Sequence, residues 1–554
     1  MPTSSSSDLR VPADQPETPD VSGAYPRLTD EQLMTLSRYG DRRSVPEGTV
    51  LYCEGDQDCG FFVVLEGKVA VVQETAAEPR LIAVHGPGRF LGDLALLTGQ
   101  KVLVTAVAVT DVDVLEVRVD RLKTLVADDQ ALGDLILRAF ILRRTLQATI
   151  GVGLRIIGSK YDRDARRLRD FASRNRIPHQ WVDVEEDPQA EDLLRALGIT
   201  VAVKPVVVWK GQRVLQNPSN TELADLIGLR AAPNRAAHDL VVVGAGPGGL
   251  AAAVYAASEG LSTIVLDAFA TGGQAATSSQ IENYLGFPAG ITGGELADRA
   301  VVQARKFGAV FTIPGEATSL RQADGYHVVG LAEGDDLIAH AVLVATGVRY
   351  RRLDIPGTDR LEGSSVYYAA TEFEAQLCRQ DPVTVVGGGN SAGQAACFLA
   401  RRSPVVNLVI RHDDLGRDMS HYLADRVEQS PRIKVWRNSE VCELIGDDEL
   451  SEVLVRDLHT HKKQRIATSA LFVLIGSAPH TGWLQGEIPL DAKGFVLTGP
   501  AADGQDGMFG TRRHGVFAVG DVRSGSVKRV ASAVGEGSVV IRQVHEFLAA
   551  EGRR

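Results

Sequence analysis

The sequence predicts a multidomain protein that begins with a β-rich segment and continues with α/β domains. At 554 residues the chain is longer than a single hydrophobic core usually supports. Short apolar runs separated by Gly and Asp turns fill residues 27–149, which is typical of a β-roll. Beyond residue 150 apolar runs alternate with helical patterns, and two of these runs end in glycine-rich turns. This alternation predicts parallel sheets covered by helices.

The composition excludes several functional classes. The net charge of −11 and the pI of about 5.6 give no support to a protein that binds nucleic acids or anionic membranes. No run of about 18 apolar residues occurs, so we expect no transmembrane helix. The first residues lack the features of a signal peptide, and the five cysteines have no regular spacing. We expect a cytoplasmic protein without structural disulfides, and no candidate metal site stands out.

The first part of the chain predicts a tail followed by the β-roll. Residues 1–26 are rich in Ser, Pro and Asp, which predicts a disordered tail. The roll over residues 27–149 ends in a predicted helix at 129–146. This roll resembles the cyclic nucleotide-binding domain family, mainly through residues 55–67 and 91–97. The second stretch is similar to the family's phosphate-binding cassette, where an acid meets the ribose and an arginine neutralises the cyclic phosphate.

Two departures from that family put nucleotide binding in question. Asp93 replaces a longer glutamate, and Val102 stands where the arginine belongs. Lys101 is adjacent to Val102, but neighbouring side chains on a strand point to opposite faces. A buried phosphate would therefore lack its best bidentate donor. Two interpretations stay open, a cyclic-nucleotide sensor and a roll kept for docking or dimer contacts.

Residues 150–230 predict a small α/β unit. Predicted strands at 154–158, 180–184 and 205–209 alternate with predicted helices at 164–174 and 188–197. The unit resembles the thioredoxin and glutaredoxin family, with Pro205 at that family's cis-proline position. It contains no cysteine, and Ser159-Lys-Tyr-Asp162 stands where the family carries its redox pair. Thiol exchange needs a thiolate, so we expect a structural or docking role. Residues 231–237 form a linker.

The first glycine-rich turn predicts a Rossmann-like dinucleotide site. An apolar strand over 240–243 leads into the turn, and a helix of small residues follows. The turn residues expected to contact the cofactor are Gly244, Gly246, Pro247, Gly248 and Gly249. In this motif the glycines allow the tight turn, the approach of a pyrophosphate and the close packing of helix on strand. A second strand ends in Asp267, at a spacing suited to a ribose hydroxyl.

A second turn of the same kind predicts a second dinucleotide. It follows the strand over 382–386, and its candidate residues are Gly387, Gly389, Asn390, Ser391 and Ala392. Two dinucleotides in one chain indicate hydride transfer between them. The next strand, over 406–410, ends in Arg411 rather than an acid, which favours the 2′-phosphate of NADPH. Arg417 is a second candidate. The alternative is that Arg411 is a solvated surface charge, since Asp413 and Asp414 weaken the local potential.

From residue 238 onward the chain resembles the thioredoxin reductase family of flavoproteins. The resemblance implies FAD contacts at Gly273, Gln274, Asn283, Thr346, Gly347, Gly520, Asp521, Arg529, Val530 and Ala531. A final helix, over about 533–547, would direct its N-terminus toward the flavin. The implied organisation is an FAD domain over 238–352 and 477–554, interrupted by an NADPH domain over 353–476. The family also implies a homodimer.

The redox dithiol of that family is missing from this sequence. The family's Cys-x-x-Cys pair falls on Ala369 and Glu372, and the chain has no other such motif. We therefore expect an FAD-dependent NADPH oxidoreductase that passes electrons from flavin directly to an acceptor, such as ferredoxin, a quinone or a small molecule. No side chain is predicted as a general acid. Two alternatives stay open, a redox or ligand sensor regulated by the N-terminal domain, and a thioredoxin-disulfide reductase that uses an external dithiol.

Overall fold

The chain forms two compact units. A computed structural model describes residues 11–57, 59–74, 79–187, 190, 194–195, 199, 204–209, 213–230, 237–278, 281–362, 364–368, 370, 374–375, 378, 381–447, 449–484, 486–504 and 506–553. One unit comprises Met1–Ala232 with Val301–Pro314, and the other comprises Pro233–Ala300 with Gly315–Arg554. No helix in the described ranges is long and apolar enough to cross a membrane.

The first unit begins with the predicted β-roll. Its helices are α1 (Asp30–Leu36), α2 (Ala95–Thr98), α3 (Val119–Asp128) and α4 (Gln130–Thr149). Its strands are β1 (Asp41–Val45), β2 (Val50–Tyr52), β3 (Phe61–Glu66), β4 (Val69–Gln73), β5 (Arg80–His85), β6 (Thr105–Ala108) and β7 (Val112–Val117). They form two antiparallel sheets, in the orders β1-β7-β3 and β2-β6-β4-β5. Phe140 of α4 packs on Phe61 and Phe90 and closes the roll with apolar contacts.

Part of the predicted disordered tail packs against the roll, and residues 1–10 of that tail lie outside the described residues. The backbone N–H of Thr18 donates to the carbonyl oxygen of Val84 at 3.0 Å. Ala24 and Tyr25 are buried. The polar composition of residues 1–26 conceals this short anchor, because one buried Ala-Tyr pair changes the average hydrophobicity of the segment very little.

A four-stranded sheet follows within the first unit. The elements are β8 (Leu154–Gly158), α5 (Arg163–Arg174), β9 (His179–Asp183), β10 (Val206–Trp209), β11 (Arg213–Gln216) and α6 (Asn220–Ile227). The strand order is β11-β10-β8-β9, with only the β8–β9 pair parallel. The predicted helix over 188–197 lies mostly outside the described residues. Within the described ranges the single cis peptide bond precedes Pro314, so Pro205 does not follow the family's cis pattern.

The second unit contains the sheet built around the first glycine turn. From residue 238 the elements of this unit are β12 (His238–Val243), α7 (Pro247–Ser258), β13 (Thr263–Leu266), the first part of α8 (Gly293–Lys306), β15 (Ala317–Ala323), β16 (Tyr326–Leu331), β17 (Leu337–Val344) and β18 (Val348–Tyr350). The end of α8 and β14 (Val310–Thr312) belong to the first unit. The strands of this unit follow the order β13-β12-β17-β16-β15. The pairs β13–β12 and β12–β17 are parallel, so their carboxyl ends meet at one edge, where α/β folds bind ligands.

A second sheet is inserted before the chain returns to the first. Its elements are α9 (Thr358–Leu361), β19 (Val366–Tyr367), β20 (Val383–Val386), α10 (Asn390–Leu399), β21 (Val406–Val409), α11 (His421–Glu428), β22 (Ile433–Trp436), β23 (Ser439–Gly446), β24 (Leu450–Asp457), β25 (Lys463–Ala467) and β26 (Ala470–Val473). A parallel sheet has the order β19-β26-β20-β21-β22, and β23–β25 form an antiparallel sheet.

Two later strands connect the inserted part with the first sheet. Strand β27 (Ser477–Pro479) pairs with β18, and β28 (Val516–Ala518) pairs with β17 in parallel. The chain then ends in α12 (Val530–Ala550). The helix begins three residues earlier than predicted from the sequence. The interruption of one sheet by another is the arrangement that the sequence predicts, although the predicted domain boundaries stay predictions.

Candidate dinucleotide sites

The first glycine turn is crowded on one side and open on the other. Gly244 has φ +112°, and a Cβ there would overlap the carbonyl of Ala345. A Cβ at Gly249 would overlap the carbonyl oxygen of Gly244. Gly246 has no heavy atom nearer than 4.0 Å to a Cβ position, and it precedes α7 without a side-chain cap. The bare N–H groups at the start of α7 are therefore accessible to a phosphate.

The last helix meets this turn at very short range. Pro247 is the first residue of α7, where its missing N–H costs nothing. A Cβ at Gly537 of α12 would overlap the carbonyl oxygen of Gly248, so the two helices cross in direct backbone contact. The start of α12 is consequently held beside the glycine turn. Arg529 is its N-cap without a side-chain hydrogen bond, and the first helical residues are Val530 and Ala531. This helix therefore offers a second set of bare N–H groups.

Asp267 directly follows β13, is partly buried and accepts hydrogen bonds from the backbone. Its Oδ2 accepts from the N–H of Ala245 at 2.9 Å, and its Oδ1 accepts from Phe269 and Ala270 at 3.0 and 3.1 Å. Burial raises the pKa of Asp267, and these three N–H donors oppose that shift. The carboxylate thus fixes the glycine turn to the following loop. Its Oδ2, which accepts one of these bonds, keeps a further lone pair for the ribose hydroxyl predicted from the sequence.

The predicted Gly-Gly-Gln segment also lies against the glycine turn. The N–H of Gly272 donates to the carbonyl of Ala245 at 2.7 Å. A Cβ at Gly273 would lie 3.0 Å from the Cα of Gly246, so the two turns touch. The side-chain amide of Gln274 donates to the carbonyl oxygen of Val348. Asn283, by contrast, lies on an exposed loop and is not brought to the turn by any described contact.

The turn after β17 completes the same edge of the sheet. Thr346 donates its hydroxyl to the carbonyl oxygen of His480 at 2.8 Å, which ties this turn to the chain returning from the inserted sheet. Burial, together with the nearby charge of Arg349, lowers the pKa of His480 to about 4, so its ring is neutral at pH 7. Gly347 has φ +61° and open space at its Cβ position. Backbone groups here are accessible to a ligand.

Gly520 and Asp521 are held by an ion pair that sequence reasoning missed. The N–H of Gly520 donates to Glu536 of α12 at 2.6 Å, and Glu536 pairs with Arg523 at 2.5 Å. Burial raises the pKa of Asp521, while the charge of Lys528 lowers it. Lys528 in turn donates to the backbone carbonyl of Asp521 at 2.9 Å. The sequence did contain a signal for Glu536: a single acidic residue lies between two glycines in a largely apolar helix, which indicates a specific contact for its carboxylate.

The second glycine turn repeats the geometry of the first. Gly387 has φ +140°, and a Cβ there would overlap the carbonyl oxygen of Leu474. Gly389 precedes α10 without a side-chain cap. The side-chain oxygen of Asn390 accepts from the N–H of Ser420 at 2.8 Å, which ties the turn to the start of α11. Ser391 and Ala392 complete the first turn of α10, with Ala392 buried.

Arg411 follows β21 at the edge of this second site. Its side chain is 73% exposed, and its guanidinium lies 3.4 Å from the carboxylate of Glu440. Glu440 also pairs with Arg456. Arg417 is exposed at the end of a short 3₁₀ turn. His412 was not singled out from the sequence, yet it lies against Gly388 and pairs with Asp418 at 3.2 Å.

The positions of the missing dithiol, Ala369 and Glu372, lie outside the described residues. The thiols that the structure describes nearby are poor nucleophiles. Burial raises the pKa of Cys378 to about 12 and also raises the pKa of Cys397. Cys442 donates to the carbonyl oxygen of Leu454 at 3.2 Å. Within the described ranges no group of three or more His, Cys, Asp or Glu residues is arranged to hold a metal.

Asp93 and Val102, the two residues that depart from the cyclic nucleotide-binding family, both line a pocket of the N-terminal roll. Val102 is buried and lines the pocket, while Lys101 points away from it. The ammonium group of Lys101 donates to the carbonyl oxygen of Leu226 at 2.9 Å, at the C-terminus of α6. Lys101 and Val102 precede β6, so the strand alternation predicted from the sequence does not apply to them. The charge of Lys101 serves the contact between the roll and the following α/β segment.

Known protein families match both the N-terminal roll and the oxidoreductase part of the chain. Residues 238–537 match the pyridine nucleotide-disulphide oxidoreductase family, and residues 42–129 match the cyclic nucleotide-binding domain family. NADPH-dependent thioredoxin reductase 3 of Arabidopsis thaliana is 30% identical over 356 residues, covering 61% of this chain and 65% of the plant protein. Thioredoxin reductase of Treponema pallidum is 32% identical over 311 residues, covering 56% of this chain and 97% of the relative.

A solved structure extends the likeness to three dimensions. Thioredoxin reductase of Lactococcus lactis, in its FR conformation, superposes with a TM-score of 0.52 at 27% identity, covering 56% of this chain and 99% of that structure. Thioredoxin reductases of this family use FAD and NADPH. The chain spans less than two thirds of the plant relative but nearly all of the bacterial one. The chain therefore belongs to the pyridine nucleotide-disulphide oxidoreductase family, whose members are NAD(P)H-dependent FAD oxidoreductases.

Proposed function

We propose that the protein is an FAD-dependent NADPH oxidoreductase that delivers electrons to its acceptor without a dithiol of its own. The observation that carries the proposal is the replacement of the family's two cysteines by Ala369 and Glu372. Neither side chain can be oxidised and reduced reversibly, and no other Cys-x-x-Cys occurs in the sequence. The α/β segment over 150–230, which we infer to be thioredoxin-like, also has no cysteine and would serve in docking.

The residues around the first glycine turn fit FAD. Bare N–H groups at the starts of α7 and α12 suit the pyrophosphate and the electron-rich end of the flavin, respectively. Asp267 would bind a ribose hydroxyl and Asp521 a ribityl hydroxyl. Glu536 would hold the Gly520 turn in place through its 2.6 Å hydrogen bond. When bound, the flavin supplies two-electron chemistry between NADPH and the acceptor.

The second glycine turn fits the pyrophosphate of NADPH by the same criteria. Arg411 would bind the 2′-phosphate, because its exposed guanidinium is free to exchange the carboxylate of Glu440 for a more highly charged anion. Arg417 is close in sequence and would add positive charge. Asp413 and Asp414 reduce the net potential, so we expect the preference for NADPH over NADH to be moderate.

The remaining thiols are poor substitutes for the missing dithiol. Cys378 and Cys397 have raised pKa values because Cys378 is buried and Cys397 is partly buried, so little thiolate forms at pH 7. Direct transfer from flavin to a one-electron or two-electron acceptor, such as ferredoxin, a quinone or a small molecule, therefore suits the chain better than disulfide reduction. We also propose a cytoplasmic homodimer, as the family resemblance implies.

Restoring the cysteines tests the proposal. The purified protein should oxidise NADPH with ferricyanide as acceptor but should not reduce thioredoxin. The double variant Ala369→Cys/Glu372→Cys should gain thioredoxin reduction, or at least a second pair of titratable electrons, while each single variant should gain neither. Robust thioredoxin turnover by the unaltered protein, lost on alkylation of its thiols, would refute the dithiol-free function.

A further inference from the structure

The β-roll encloses a small polar pocket. The side chains that line it and matter here are Tyr25, His85, Asp93, Val102 and Arg143. Arg143 and Asp93 are only 4% and 3% exposed. Charged side chains at this depth are costly unless other groups compensate them. Their presence therefore requires partners, and the contacts of each show which partners the pocket provides.

Arg143 reaches the pocket from α4, far in sequence from the cassette. Its Nε donates to the carbonyl oxygen of Ala24 at 2.7 Å, and its Nη1 donates to that of Gly92 at 2.7 Å. Its Nη2 has no hydrogen-bond partner in the described parts of the chain. Burial lowers the pKa of Arg143 to about 10, so the group stays charged at pH 7. A guanidinium with one unused donor edge is an incomplete anion site.

Asp93 lies in the same pocket with one oxygen in use. Its Oδ1 accepts from the N–H of Ala95 at 2.8 Å. Its Oδ2 accepts no hydrogen bond within the described ranges and lies 3.6 Å from the guanidinium of Arg144. The pocket therefore offers a cationic donor and an anionic acceptor. A ligand with an anionic group and a nearby hydroxyl would satisfy both.

Residues 17–28, which we name the N-terminal strap, occupy the position such a ligand would need. The ring of Tyr25 packs edge-on against His85, with ring centroids 5.5 Å apart, and lies 5.4 Å from the guanidinium of Arg143. The Ala24 carbonyl uses one donor of Arg143. The strap thus covers the guanidinium with an aromatic face and a carbonyl, which are weaker partners than an anion.

The strap is held at its outer end by contacts that can be released. The carboxylate of Glu17 lies 2.6 Å from Arg27 and 3.5 Å from Arg89. Thr18 pairs with Val84 through its backbone N–H and its hydroxyl oxygen, at 3.0 and 2.8 Å. The Arg27–Glu17 pair joins two residues of the strap itself and does not tie the strap to the roll. The outer end of the strap is tied to the roll by the Glu17–Arg89 pair and by the two Thr18–Val84 hydrogen bonds.

We propose that the N-terminal strap is an intramolecular plug over an anion site in which Arg143 takes the place of the cassette arginine lost at Val102. The ligand class is a small phosphate ester or free carboxylate that also carries a hydroxyl for Asp93. In the closed form Tyr25 and Ala24 hold Arg143, and the site is inaccessible. Release of the strap exposes the guanidinium and allows the ligand to bind.

Calorimetry and amide hydrogen exchange on the full-length holoprotein test the plug, with cyclic AMP and inorganic phosphate as the probes. The unaltered protein should bind neither measurably, and the amides of residues 17–25 should be protected. Tyr25→Ala should speed amide exchange in the strap. It should also bind at least one probe measurably, with an affinity at least about tenfold above the detection limit that applies to the unaltered protein. Tyr25→Ala/Arg143→Met should lose that gain. Glu17→Gln should loosen the strap more mildly, and Glu31→Gln, on exposed α1, is the charge-matched control.

Two results would overturn the proposal. The first is equal probe affinity in the unaltered protein and in Tyr25→Ala, which would mean that the strap blocks nothing. The second is faster strap exchange in Tyr25→Ala or Glu17→Gln without binding of either probe, which would mean that no anion site lies beneath. Should Tyr25→Ala fail to fold, Glu17→Gln carries both measurements, because it removes the charge that pairs with Arg89 of the roll and leaves the buried Ala24 and Tyr25 unchanged.

Discussion

The two glycine turns of the oxidoreductase part share their backbone geometry, but the residue that follows the second strand of each site differs. In both, a glycine with positive φ lies where a Cβ would overlap a neighbouring carbonyl, at Gly244 and at Gly387. In both, the following helix starts without a side-chain cap. After the second strand of each site, however, Asp267 is partly buried and held by three N–H groups, whereas Arg411 is 73% exposed and paired with Glu440.

This difference suggests that the two cofactors are held in different ways. A carboxylate that is held by three backbone N–H groups and shapes the loop belongs to a permanent site, because changing it disturbs the fold as well as the ligand. An exposed arginine whose partner can be exchanged belongs to a site where the ligand arrives and leaves in each cycle. FAD would then be a resident group and NADPH an exchanging substrate. Variants at the two sites should therefore have different effects on flavin content and on the reaction with NADPH.

The largest expected effect comes from filling the glycine turns. Gly249→Ala should give protein without bound FAD, because the new Cβ overlaps the Gly244 carbonyl and overpacking of this kind costs roughly 1–3 kcal/mol. Gly387→Ala should stay yellow yet be reduced by NADPH at least about a hundredfold less efficiently, which corresponds to about 2.7 kcal/mol. Absorbance at the flavin band and stopped-flow reduction measure the two losses.

Gly482→Ala is the matched control for both glycine variants. It has ordinary φ and open space around its Cβ position, so it should keep both flavin and rate. If Gly387→Ala lost FAD as completely as Gly249→Ala, the second turn would be essential to the flavin site. The assignment of one turn to each cofactor would then fail.

A smaller effect is expected at Arg411. Arg411→Ala should raise the KM for NADPH by about tenfold, since a charge-assisted hydrogen bond contributes about 1.5–3 kcal/mol and exposure reduces that value. The KM for NADH should stay nearly unchanged, because NADH has no 2′-phosphate. Arg437→Ala removes another partly exposed, ion-paired arginine of the inserted part and should affect neither cofactor. Equal loss with NADH and NADPH would show that Arg411 is structural.

The smallest expected effect concerns pH. Burial holds the pKa of His480 at about 4, below its ordinary value of 6.5, so the unfolded chain binds the proton first as pH falls. The associated stability is present above about pH 6.5 and is lost as pH falls toward 4. His480→Gln should reduce this loss, measured as flavin release on heating at several pH values. His421→Gln, at an exposed site, should leave the profile unchanged, and an unchanged profile in His480→Gln would contradict the assignment.

The sequence was sufficient for the features that depend on local backbone chemistry. Gly244, Gly387 and the acid or arginine after each second strand follow from fixed spacing, and the structure places them at the ends of their strands. The helix start at Val530 was predicted only approximately, because the uncapped Arg529 gives no local signal. The features missed depend on contacts between distant residues. Glu536 binds Gly520, and Ala24 binds Arg143, across separations that no local pattern encodes.

The proposal that the flavin is the only two-electron store is tested most directly by anaerobic titration with NADPH. With Ala369 and Glu372 at the family's sulfur positions, the flavin should be fully reduced by about one equivalent of NADPH. Prior alkylation of the thiols should leave this end point unchanged, because Cys378 is buried, Cys397 is partly buried and the two do not form a redox pair in this account. An end point near two equivalents that falls to one after alkylation would reveal a second, sulfur-based store and contradict it.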